Sequence, residues 1–467
     1  MPIALGSSNV SKIYLGSNEI DASYLGTDSI LAAQDLLFTV DASISTSLTV
    51  SNLDSNASYS GVIDWGDGSA DTILSGTGNT SISHTFTSTG VYQVGVSGSA
   101  VPRFRLSSQL NVVSLESLGN VGLQTTDSMF YGCTNLAGVI IGNSVTSIGD
   151  QAFSGCSSLT SITIPDSVTS IGNLVFAVCS SLTSITIPDS VTSMGSGVFF
   201  NCGSLTNITI PDSVTSIGTN VFYNCSSLTS VTIPDSVTSI GGNAFSYSGL
   251  TSVTIPDSVT NIGGSAFAYC SGLTSVIIGN SVTNIGTNVF YQCGSLTDVS
   301  LNSASANLQS AGYYFYNYVT SINIPENTLQ IANYAFYGCS KVTSVTIPDS
   351  VTSIGNDAFY NCDSLTSITI PDSITSIGVR AFSDCGGLTS IIIPNSVTSI
   401  GSQVFSNCTL LATVDLSLPK YVIDAATYIF FDTSSPLILN VPTGTASWTA
   451  GTGQSIGGNT NVTVNLV

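Results

Sequence analysis

Basic residues are scarce in this sequence. Only six of the 467 residues are Lys or Arg, against 27 Asp and Glu, so the formal net charge is −21 at pH 7. Proteins that bind nucleic acid neutralise runs of phosphates with clustered cations. This chain has too few cations for that, and we predict that it does not bind nucleic acid.

Long apolar runs and export signals are also lacking. No stretch reaches the roughly 18 consecutive apolar residues of a membrane-spanning helix, so we expect no membrane insertion. The first residues, MPIALGSSNVSK, have neither the basic nor the apolar region of a secretory signal. A phage structural protein needs no such signal because it leaves the cell by lysis, whereas a bacterial adhesin is exported.

Residues arranged for catalysis are absent as well. The sequence has one histidine, His84, and its carboxylates are spread along the chain. Neither a nucleophile with a neighbouring base nor a pair of acids can be recognised. We therefore predict no enzyme activity, no catalytic residue and no required cofactor, with one calcium site kept as an alternative.

What the sequence does contain is a repeat of 23 residues. A fixed period in this range is typical of solenoids, whose coils bury their apolar side against neighbouring coils. The repeat is clearest as a column of phenylalanines that slips at a divergent coil near residue 315. The members of this column are Phe130, Phe153, Phe176, Phe199, Phe222, Phe245, Phe267, Phe290, Phe336, Phe359, Phe382 and Phe405.

One coil can be interpreted from LTSITIPDSVTSIGNLVFAVCSS, residues 159–181. Leu159, Ile162 and Ile164 follow the spacing of a leucine-rich-repeat strand, and the polar residues between them point outward. The next residue is a proline, which ends the strand because it has no amide hydrogen for the ladder. A turn, a second short extended segment and a short helical or 3₁₀ turn complete the predicted coil.

The pattern LTSITIPDSVTSIG, followed by Phe and Cys, resembles the BspA-like (Treponema-type) leucine-rich repeats. The resemblance covers roughly two thirds of the chain, in about 14 coils. It implies a mainly β fold, a leucine-rich-repeat solenoid. It also implies extracellular binding and adhesion on bacterial, protist or phage surfaces, without enzyme activity.

Eleven cysteines form a second column, each three residues after a repeat phenylalanine. The count is odd, the side chains of such a column point the same way, and Ser248 replaces one member without a paired loss. We therefore predict buried free thiols that pack as small apolar groups. A disulfide ladder or metal sites are the alternatives.

Residues 1–34 contain short decapeptide repeats that begin with Leu-Gly. They predict short strands separated by turns, in a unit with too little apolar surface to fold alone. The segment resembles the N-terminal segments of phage virion proteins, so we interpret it as an anchor to other virion proteins. An exposed ribbon on the edge of the next domain is the alternative. The candidate anchor residues are Ile13, Tyr14, Leu15, Tyr24 and Leu25.

Residues 35–101 predict an immunoglobulin-like β-sandwich, because short alternating runs are separated by polar turns. The motifs DWGDGS, HTF and GVYQVGV resemble the PKD-type domain, which implies a spacer or adhesion module. Asp64, Asp67 and Asp71 could hold calcium through oxygen ligands. An Asp-Gly turn explains the motif equally well. We predict that His84 is structural.

The solenoid is predicted over residues 102–433, with an irregular first coil, and a C-terminal cap over residues 434–467. The first and last coils of solenoids are usually atypical because they close the apolar stack.

Two outward columns are candidate binding surfaces. The outward strand positions form a ladder of Ser and Thr, which could bind glycans or could reflect only the preference of Thr for strands. The residue after the repeat phenylalanine is often aromatic, which predicts an outer stripe. This stripe includes Tyr223, Tyr291, Tyr337 and Tyr360. The most divergent coil carries a candidate recognition patch, for which repacking around a lost cysteine is the alternative: Tyr313, Tyr314, Phe315, Tyr316 and Tyr318.

Together, these features favour a phage virion surface protein of fibre or decoration type, which forms a homo-oligomer on the particle. Its solenoid would recognise a glycan or protein of the host surface through many weak contacts. One alternative is a purely structural decoration protein of the capsid or tail, without a host ligand. Another is a cellular surface adhesin.

Overall fold

The computed structural model shows a β-solenoid of about 13 turns with a period of about 23 residues. A smaller β unit precedes it. The predicted mainly β leucine-rich-repeat solenoid is therefore confirmed, with about 13 turns instead of about 14. The residues that the structure describes are 12–15, 18–21, 36–52, 58–77, 81–100, 104–106, 108–118, 127–301, 319–324, 326, 328–416, 423, 426–433, 436–443, 451–456 and 458–467.

Two short strands lie near the N-terminus, β1 (Lys12–Leu15) and β2 (Asn18–Asp21). They pair with each other in antiparallel fashion. Of the candidate anchor residues, three lie in β1 (Ile13, Tyr14 and Leu15) and two lie outside the described residues (Tyr24 and Leu25). The anchoring role stays a prediction.

The smaller β unit contains strands in two sheets. They are β3 (Leu36–Asp41), β4 (Ser47–Asn52), β5 (Ser58–Asp64), β6 (Thr72–Thr77), β7 (Ser81–Thr85), β8 (Val91–Ala100) and β9 (Phe104–Arg105). One sheet has the order β3-β8-β5-β6 and the other the order β7-β4-β9. Phe38, Leu48, Trp65 and Phe86 lie in the buried core of this unit. The immunoglobulin-like assignment and the PKD resemblance are not confirmed by these pairings and stay predictions.

Most coils of the solenoid contribute two parallel strands. The longer strands are β10 (Val112–Leu118), β11 (Gly138–Ile141), β13 (Ser161–Thr163), β15 (Ser184–Thr186), β17 (Asn207–Thr209), β20 (Ser252–Ile255), β22 (Ser275–Ile278), β24 (Asp298–Leu301), β25 (Ser321–Asn323), β27 (Ser344–Thr346), β29 (Ser367–Thr369), β31 (Ser390–Ile393), β33 (Thr413–Leu416) and β34 (Leu437–Val441). The two-residue strands are β12 (Ser147–Ile148), β14 (Ser170–Ile171), β16 (Ser193–Met194), β18 (Ser216–Ile217), β19 (Ser239–Ile240), β21 (Asn261–Ile262), β23 (Asn284–Ile285), β26 (Gln330–Ile331), β28 (Ser353–Ile354), β30 (Ser376–Ile377) and β32 (Ser399–Ile400).

The alternation of the longer strands sets the inner and outer sides of each coil. In β13, Ile162 is buried between Ser161 and Thr163, which are exposed. Successive side chains of a strand point to opposite faces, so one isoleucine enters the core while its neighbours face solvent. Because the strands pair in parallel register, residues at the same position of each coil form columns.

The segment that carries the phenylalanine column is a series of turns and not a helix. Hydrogen bonds over three residues, such as Cys179 N to Phe176 O at 3.2 Å, are of the 3₁₀ type, the second of the two predicted forms. Leu174 and Val178 have positive φ angles of 56° and 61°. This geometry turns amides and carbonyls toward the neighbouring coils. Phe176 N donates to Val198 O at 2.9 Å, and Phe153 N donates to Val175 O at 3.0 Å. In a helix, these amides and carbonyls would bond within one coil, and they could not form hydrogen bonds to the neighbouring coils.

The core consists of stacked columns. Phe153, Phe176 and Phe199 are fully buried, with 5.7 Å between neighbouring ring centroids. All eleven cysteines are free and buried, which confirms the predicted thiol column. Cys179 Sγ donates to Phe153 O of the preceding coil at 3.2 Å. Burial raises the pKa of the Cys202 thiol to about 12, so this thiol stays protonated.

A glycine follows each two-residue strand in most coils because the coils approach closely there. A Cβ added at Gly195 would lie 2.6 Å from Asn173 N and from the carbonyl carbon of Gly172. Real Cβ atoms essentially never come so close to backbone atoms. Glycine, which has no Cβ, therefore fits at this position without a steric clash.

The first strand of the solenoid joins the two parts of the molecule. β10 pairs with β3 in antiparallel fashion and with β11 in parallel fashion. One sheet thus runs in the order β17-β15-β13-β11-β10-β3-β8-β5-β6. The buried apolar cluster is also continuous from Leu36 to Val464. The smaller β unit therefore closes the N-terminal end of the apolar stack and shares a sheet with it.

The C-terminal end is closed by two further strands, β35 (Gly451–Ile456) and β36 (Asn459–Leu466). The last sheet has the order β31-β33-β34-β36-β35. Val462 and Val464 of β36 are buried against the stack. The strand β36 therefore covers the side of β34 that would otherwise be open.

Candidate functional site

The outward Ser/Thr columns form the most regular exposed surface. Along the parallel ladder, Ser161 pairs with Ser184, and Thr163 pairs with Thr186. The same columns continue to Asn207 and Thr209 in β17. The strands of such a ladder are about 4.8 Å apart. The result is a row of uncharged side chains in which most coils present a Ser and a Thr, while Asn207 replaces the serine in one coil. Ser230 and Thr232 lie between β17 and β20 and are not part of a strand. We call the positions in coils 161–254 the outward hydroxyl face; they are Ser161, Thr163, Ser184, Thr186, Asn207, Thr209, Ser230, Thr232, Ser252 and Thr254.

The threonines of the solenoid differ in the hydrogen bonds that their hydroxyls make. Thr169 Oγ1 donates to Thr146 O at 3.2 Å, and Thr192 Oγ1 donates to Thr169 O at 3.4 Å. These hydroxyls connect neighbouring coils. The side chains of the outward hydroxyl face, in contrast, make no hydrogen bond within the described residues and are all exposed. The fold uses the first set of hydroxyls and leaves the second set available to a ligand.

The outward hydroxyl face has apolar ends. Ile140 occupies the threonine column one coil before Thr163 and is 48% exposed. Ile277 occupies it one coil after Thr254 and is 36% exposed. Exposed isoleucines in a column of threonines extend the flat surface while they remove the hydroxyl.

The structure places Tyr223 and Tyr291 of the predicted outer aromatic stripe in a ladder of ring contacts, and a binding role of the stripe stays a prediction. Phe200 stacks on Tyr223 with 5.0 Å between ring centroids. The ladder continues through Tyr247 and Tyr269, which stack at 4.4 Å, to Tyr291. Sequence reasoning missed Tyr247 and Tyr269 because they lie two residues after the phenylalanine, not one. Their positive φ angles of 60° explain how this position reaches the same stripe.

A second part of the stripe lies beyond the divergent coil. Tyr337 stacks on Tyr360 at 4.8 Å, and the guanidinium of Arg380 lies 5.8 Å from the Tyr360 ring centroid. Arg380 Nη2 donates to Asp357 Oδ2 at 3.1 Å. Burial raises the pKa of Asp357, although Arg380 opposes this shift. The rings of this part thus contact one another and the guanidinium.

The ring geometry limits what the stripe can bind. A sugar packs on the free face of an aromatic ring, but the faces of Tyr247 and Tyr269 are turned toward each other, with only 6° between the ring planes. The two residues are 40% and 39% exposed. Partly exposed tyrosines are enriched at protein interfaces, so this stripe suits contacts with protein.

The predicted recognition patch, Tyr313, Tyr314, Phe315, Tyr316 and Tyr318, lies outside the described residues. The strand register is nevertheless kept across this coil, since Asp298 of β24 pairs with Ser321 of β25. The patch stays a prediction.

The acidic motif of the smaller β unit is used in local turns. Asp64 Oδ1 accepts a hydrogen bond from Gly66 N at 2.8 Å, and Asp67 Oδ1 accepts one from Ser69 N at 2.9 Å. His84 Nε2 lies 2.8 Å from Asp67 Oδ2, and its ring stacks on Trp65. Burial acts to raise the pKa of Asp67, but the hydrogen bonds from Ser69 and the contact with His84 lower it overall.

The calcium site predicted at Asp64, Asp67 and Asp71 stays a prediction. Within the described ranges, no three His, Cys, Asp or Glu side chains are grouped so that they could hold a metal ion. In the same ranges there is no helix with the length and hydrophobicity needed to cross a bilayer.

Comparison with known proteins supports the repeat assignment. The pattern of the "BspA type Leucine rich repeat region (6 copies)" matches residues 123–251, 193–319, 238–340 and 307–437. No curated protein matches the chain. A leucine-rich repeat protein from Bacteroides ovatus is 26% identical over 61% of this chain and 87% of its own, with a TM-score of 0.37. A leucine rich cell surface protein from Faecalibacterium prausnitzii is 28% identical over 66% of this chain and 87% of its own, with a TM-score of 0.31.

The Treponema pallidum leucine-rich repeat protein is similar as well, with 27% identity over 35% of this chain and 81% of its own, and a TM-score of 0.31. The family matches overlap one another and together run from residue 123 to residue 437, which is well over half of the chain. The chain therefore belongs to the BspA-type leucine-rich repeat family.

Proposed function

We propose that this chain is a binding protein of a bacterial cell surface and that its solenoid serves adhesion or recognition. Membership in the BspA-type family supports this role. The observation that carries the proposal is the combination of a continuous buried core with an exposed polar face that recurs from coil to coil. Solenoids of this kind commonly present extended surfaces to their ligands.

The phage virion interpretation has less support. It rests on residues 1–34, most of which lie outside the described residues. The family assignment fits a cellular surface adhesin better than a virion protein. The predicted contacts with virion proteins, the homo-oligomer on a particle and the virion location all stay untested predictions.

We assign no reaction to the protein. Leucine-rich-repeat solenoids generally serve as binding scaffolds, and the repeated columns supply hydroxyls, rings and carboxylates one coil at a time. The predicted absence of enzyme activity remains a prediction. On this proposal, affinity comes from many weak contacts repeated along the solenoid.

Flow cytometry with the fluorescently labelled chain tests the proposal. We expect saturable binding to cultured epithelial cells or to bacterial cells. A matched chain with Phe199→Ala and Phe222→Ala, which opens the core, should lose this binding. The proposal is contradicted if neither cell type binds the native chain above the level of the core variant.

A further inference from the structure

We propose that the outward hydroxyl face binds neutral, extended polysaccharides that lie along the solenoid axis. This inference rests on the proposed surface-binding function and adds the class of ligand. It starts from the contrast between two sets of hydroxyls. Thr169, Thr192, Thr238 and Thr260 each donate Oγ1 to a carbonyl of the preceding coil. The outward hydroxyls make no such bond within the described residues.

The chemistry of the face fits a polyol. Each hydroxyl of Ser161 or Thr163 can donate one hydrogen bond and accept others, as each hydroxyl of a sugar can. The threonine methyl groups, and the exposed Ile140 and Ile277 at the two ends, offer apolar contact for the C–H faces of sugar rings. The face therefore supplies both kinds of contact that a neutral sugar needs.

The same composition argues against a protein ligand at this face. Protein interfaces are enriched in aromatic residues and Arg and depleted in Ser. The outward hydroxyl face contains none of the first two and is built from Ser, Thr and one Asn. The aromatic stripe is the better protein-contact surface, because it consists of partly exposed aromatic residues. The two surfaces thus fit different partners.

Periodicity indicates that the ligand is a polymer. Thr163, Thr186 and Thr209 lie in parallel register, one per coil. Coils 161–254 span about 19 Å when neighbouring strands are about 4.8 Å apart. A ligand that repeats along the same axis can make the same weak contact several times, which raises its overall affinity.

Charge restricts the class of polysaccharide. The chain carries a net charge of −21. Asp166, Asp189, Asp212 and Asp235 are exposed and each follows a threonine of the face by three residues. Like charges repel, so uronate- or sulfate-bearing polymers should be excluded. Neutral polymers remain.

Affinity electrophoresis tests the proposal with defined probes. Native gels would contain mannan, galactomannan or mixed-linkage β-glucan as neutral polymers, and alginate as the anionic polymer. We expect at least one neutral polymer to slow the full chain and alginate to leave its mobility unchanged. If no neutral polymer slows the chain, or if alginate slows it equally, the proposed ligand class is wrong.

Matched variants locate the site. The combined variant Thr163→Val, Thr186→Val, Thr209→Val and Thr232→Val removes outward hydroxyls, and we expect it to weaken retardation about tenfold or more, since several hydrogen bonds are lost together. The control Thr169→Val, Thr192→Val, Thr238→Val and Thr260→Val should keep retardation within about twofold at a temperature where it is folded, because its hydroxyls bond within the protein. The same set with Ala in place of Val repeats the test without added surface hydrophobicity. Equal loss in both sets would overturn the assignment.

Failure of this inference can be distinguished from failure of the proposed function. A chain that binds cells in the cytometry experiment but is not slowed by any neutral polymer remains a surface-binding protein with another ligand. A chain that does neither contradicts both.

Discussion

The inner and outer sides of the same coils repeat for different reasons. On the inner side, Phe176 and Cys179 must match the coil before and the coil after, and both are fully buried. Stability alone explains why these columns recur. On the outer side, the side chains of Ser184 and Thr186 are exposed and make no hydrogen bond within the described part of the chain. Stability gives a weaker reason for that repetition, which points to a ligand.

The largest expected effect is on the inner side. Phe199→Ala removes a fully buried ring that stacks between Phe176 and Phe222. It should lower the free energy of unfolding by about 3–5 kcal/mol in urea titrations. The matched control is Phe200→Ala in the partly exposed stripe, which should cost less than about half as much. Equal effects at the two positions would abolish the distinction between the inner and outer sides.

Close approach between coils gives the next effect. In Gly195→Ala, the new methyl group would collide with backbone atoms of the preceding coil. We expect a loss of about 1–3 kcal/mol in thermal or urea unfolding. The neighbouring exposed Ser196→Ala serves as control and should stay within about 0.5 kcal/mol. A neutral Gly195→Ala would show that the coils can move apart.

The reactivity of the cysteine thiols gives another test of the difference between the inner and outer sides. All eleven thiols are buried, and burial raises the pKa of the Cys339 thiol to about 12. Because the reagent cannot reach buried thiols, iodoacetamide at pH 8 should modify them very slowly in the native state. After denaturation, all eleven should react, as counted by mass spectrometry. The control Ser226→Cys places a thiol at an exposed position, and it should react in the native state. Cys225→Ser should cost about 1–3 kcal/mol. Disulfides found without reductant would refute the packing role.

The smaller β unit should respond to acid. In the folded state the pKa of Asp67 lies below its ordinary value of 3.8. The stabilisation is therefore fully present above that value and is lost as the pH falls through the lower folded pKa. Asp67→Asn should reduce the change in melting temperature between pH 7 and pH 3. The variant Asp71→Asn at an exposed position is the control. If Asp67→Asn responds to acid as the native chain does, Asp67 does not contribute to the acid response.

The smallest effect on stability belongs to the outer side. Thr186→Val keeps a β-branched side chain, and the hydroxyl it removes has no partner within the described residues. The melting temperature should therefore change by no more than the equivalent of about 0.5 kcal/mol. Thr192→Val, which removes a bond to Thr169 O, should cost about 0.5–1.5 kcal/mol. A large loss for Thr186→Val would mean that the outward threonines are structural.

Much of the fold could be predicted from the period alone. Leu159, Ile162 and Phe176 take the buried positions that their spacing indicates. The turns around Leu174 and Val178 could not be predicted, because a pattern of buried residues does not distinguish a helical turn from one with positive φ angles. The choice between these two turns depends on the hydrogen bonds between neighbouring coils, and these cannot be deduced from the sequence of a single coil.

The candidate site was predicted less completely. The outward strand positions follow from alternation, but the difference between Thr186 and Thr192 depends on hydrogen bonds that only the stack reveals. Tyr247 and Tyr269 were missed because the sequence pattern was followed only one residue past the phenylalanine. The pairing of β3 with β10 could not be predicted either, since no sequence pattern indicates which strands pair when they lie far apart in the chain.

The central claim is that the inner side holds the solenoid together while the outward hydroxyl face binds the ligand. It is tested most directly by measuring melting temperature and mannan retardation on the same two fourfold variants. The account predicts that the variant at Thr163, Thr186, Thr209 and Thr232 melts like the native chain and loses retardation. It predicts that the variant at Thr169, Thr192, Thr238 and Thr260 melts at a lower temperature and keeps retardation. If one variant loses both properties and the other loses neither, stability and binding are not divided between these two sets of hydroxyls.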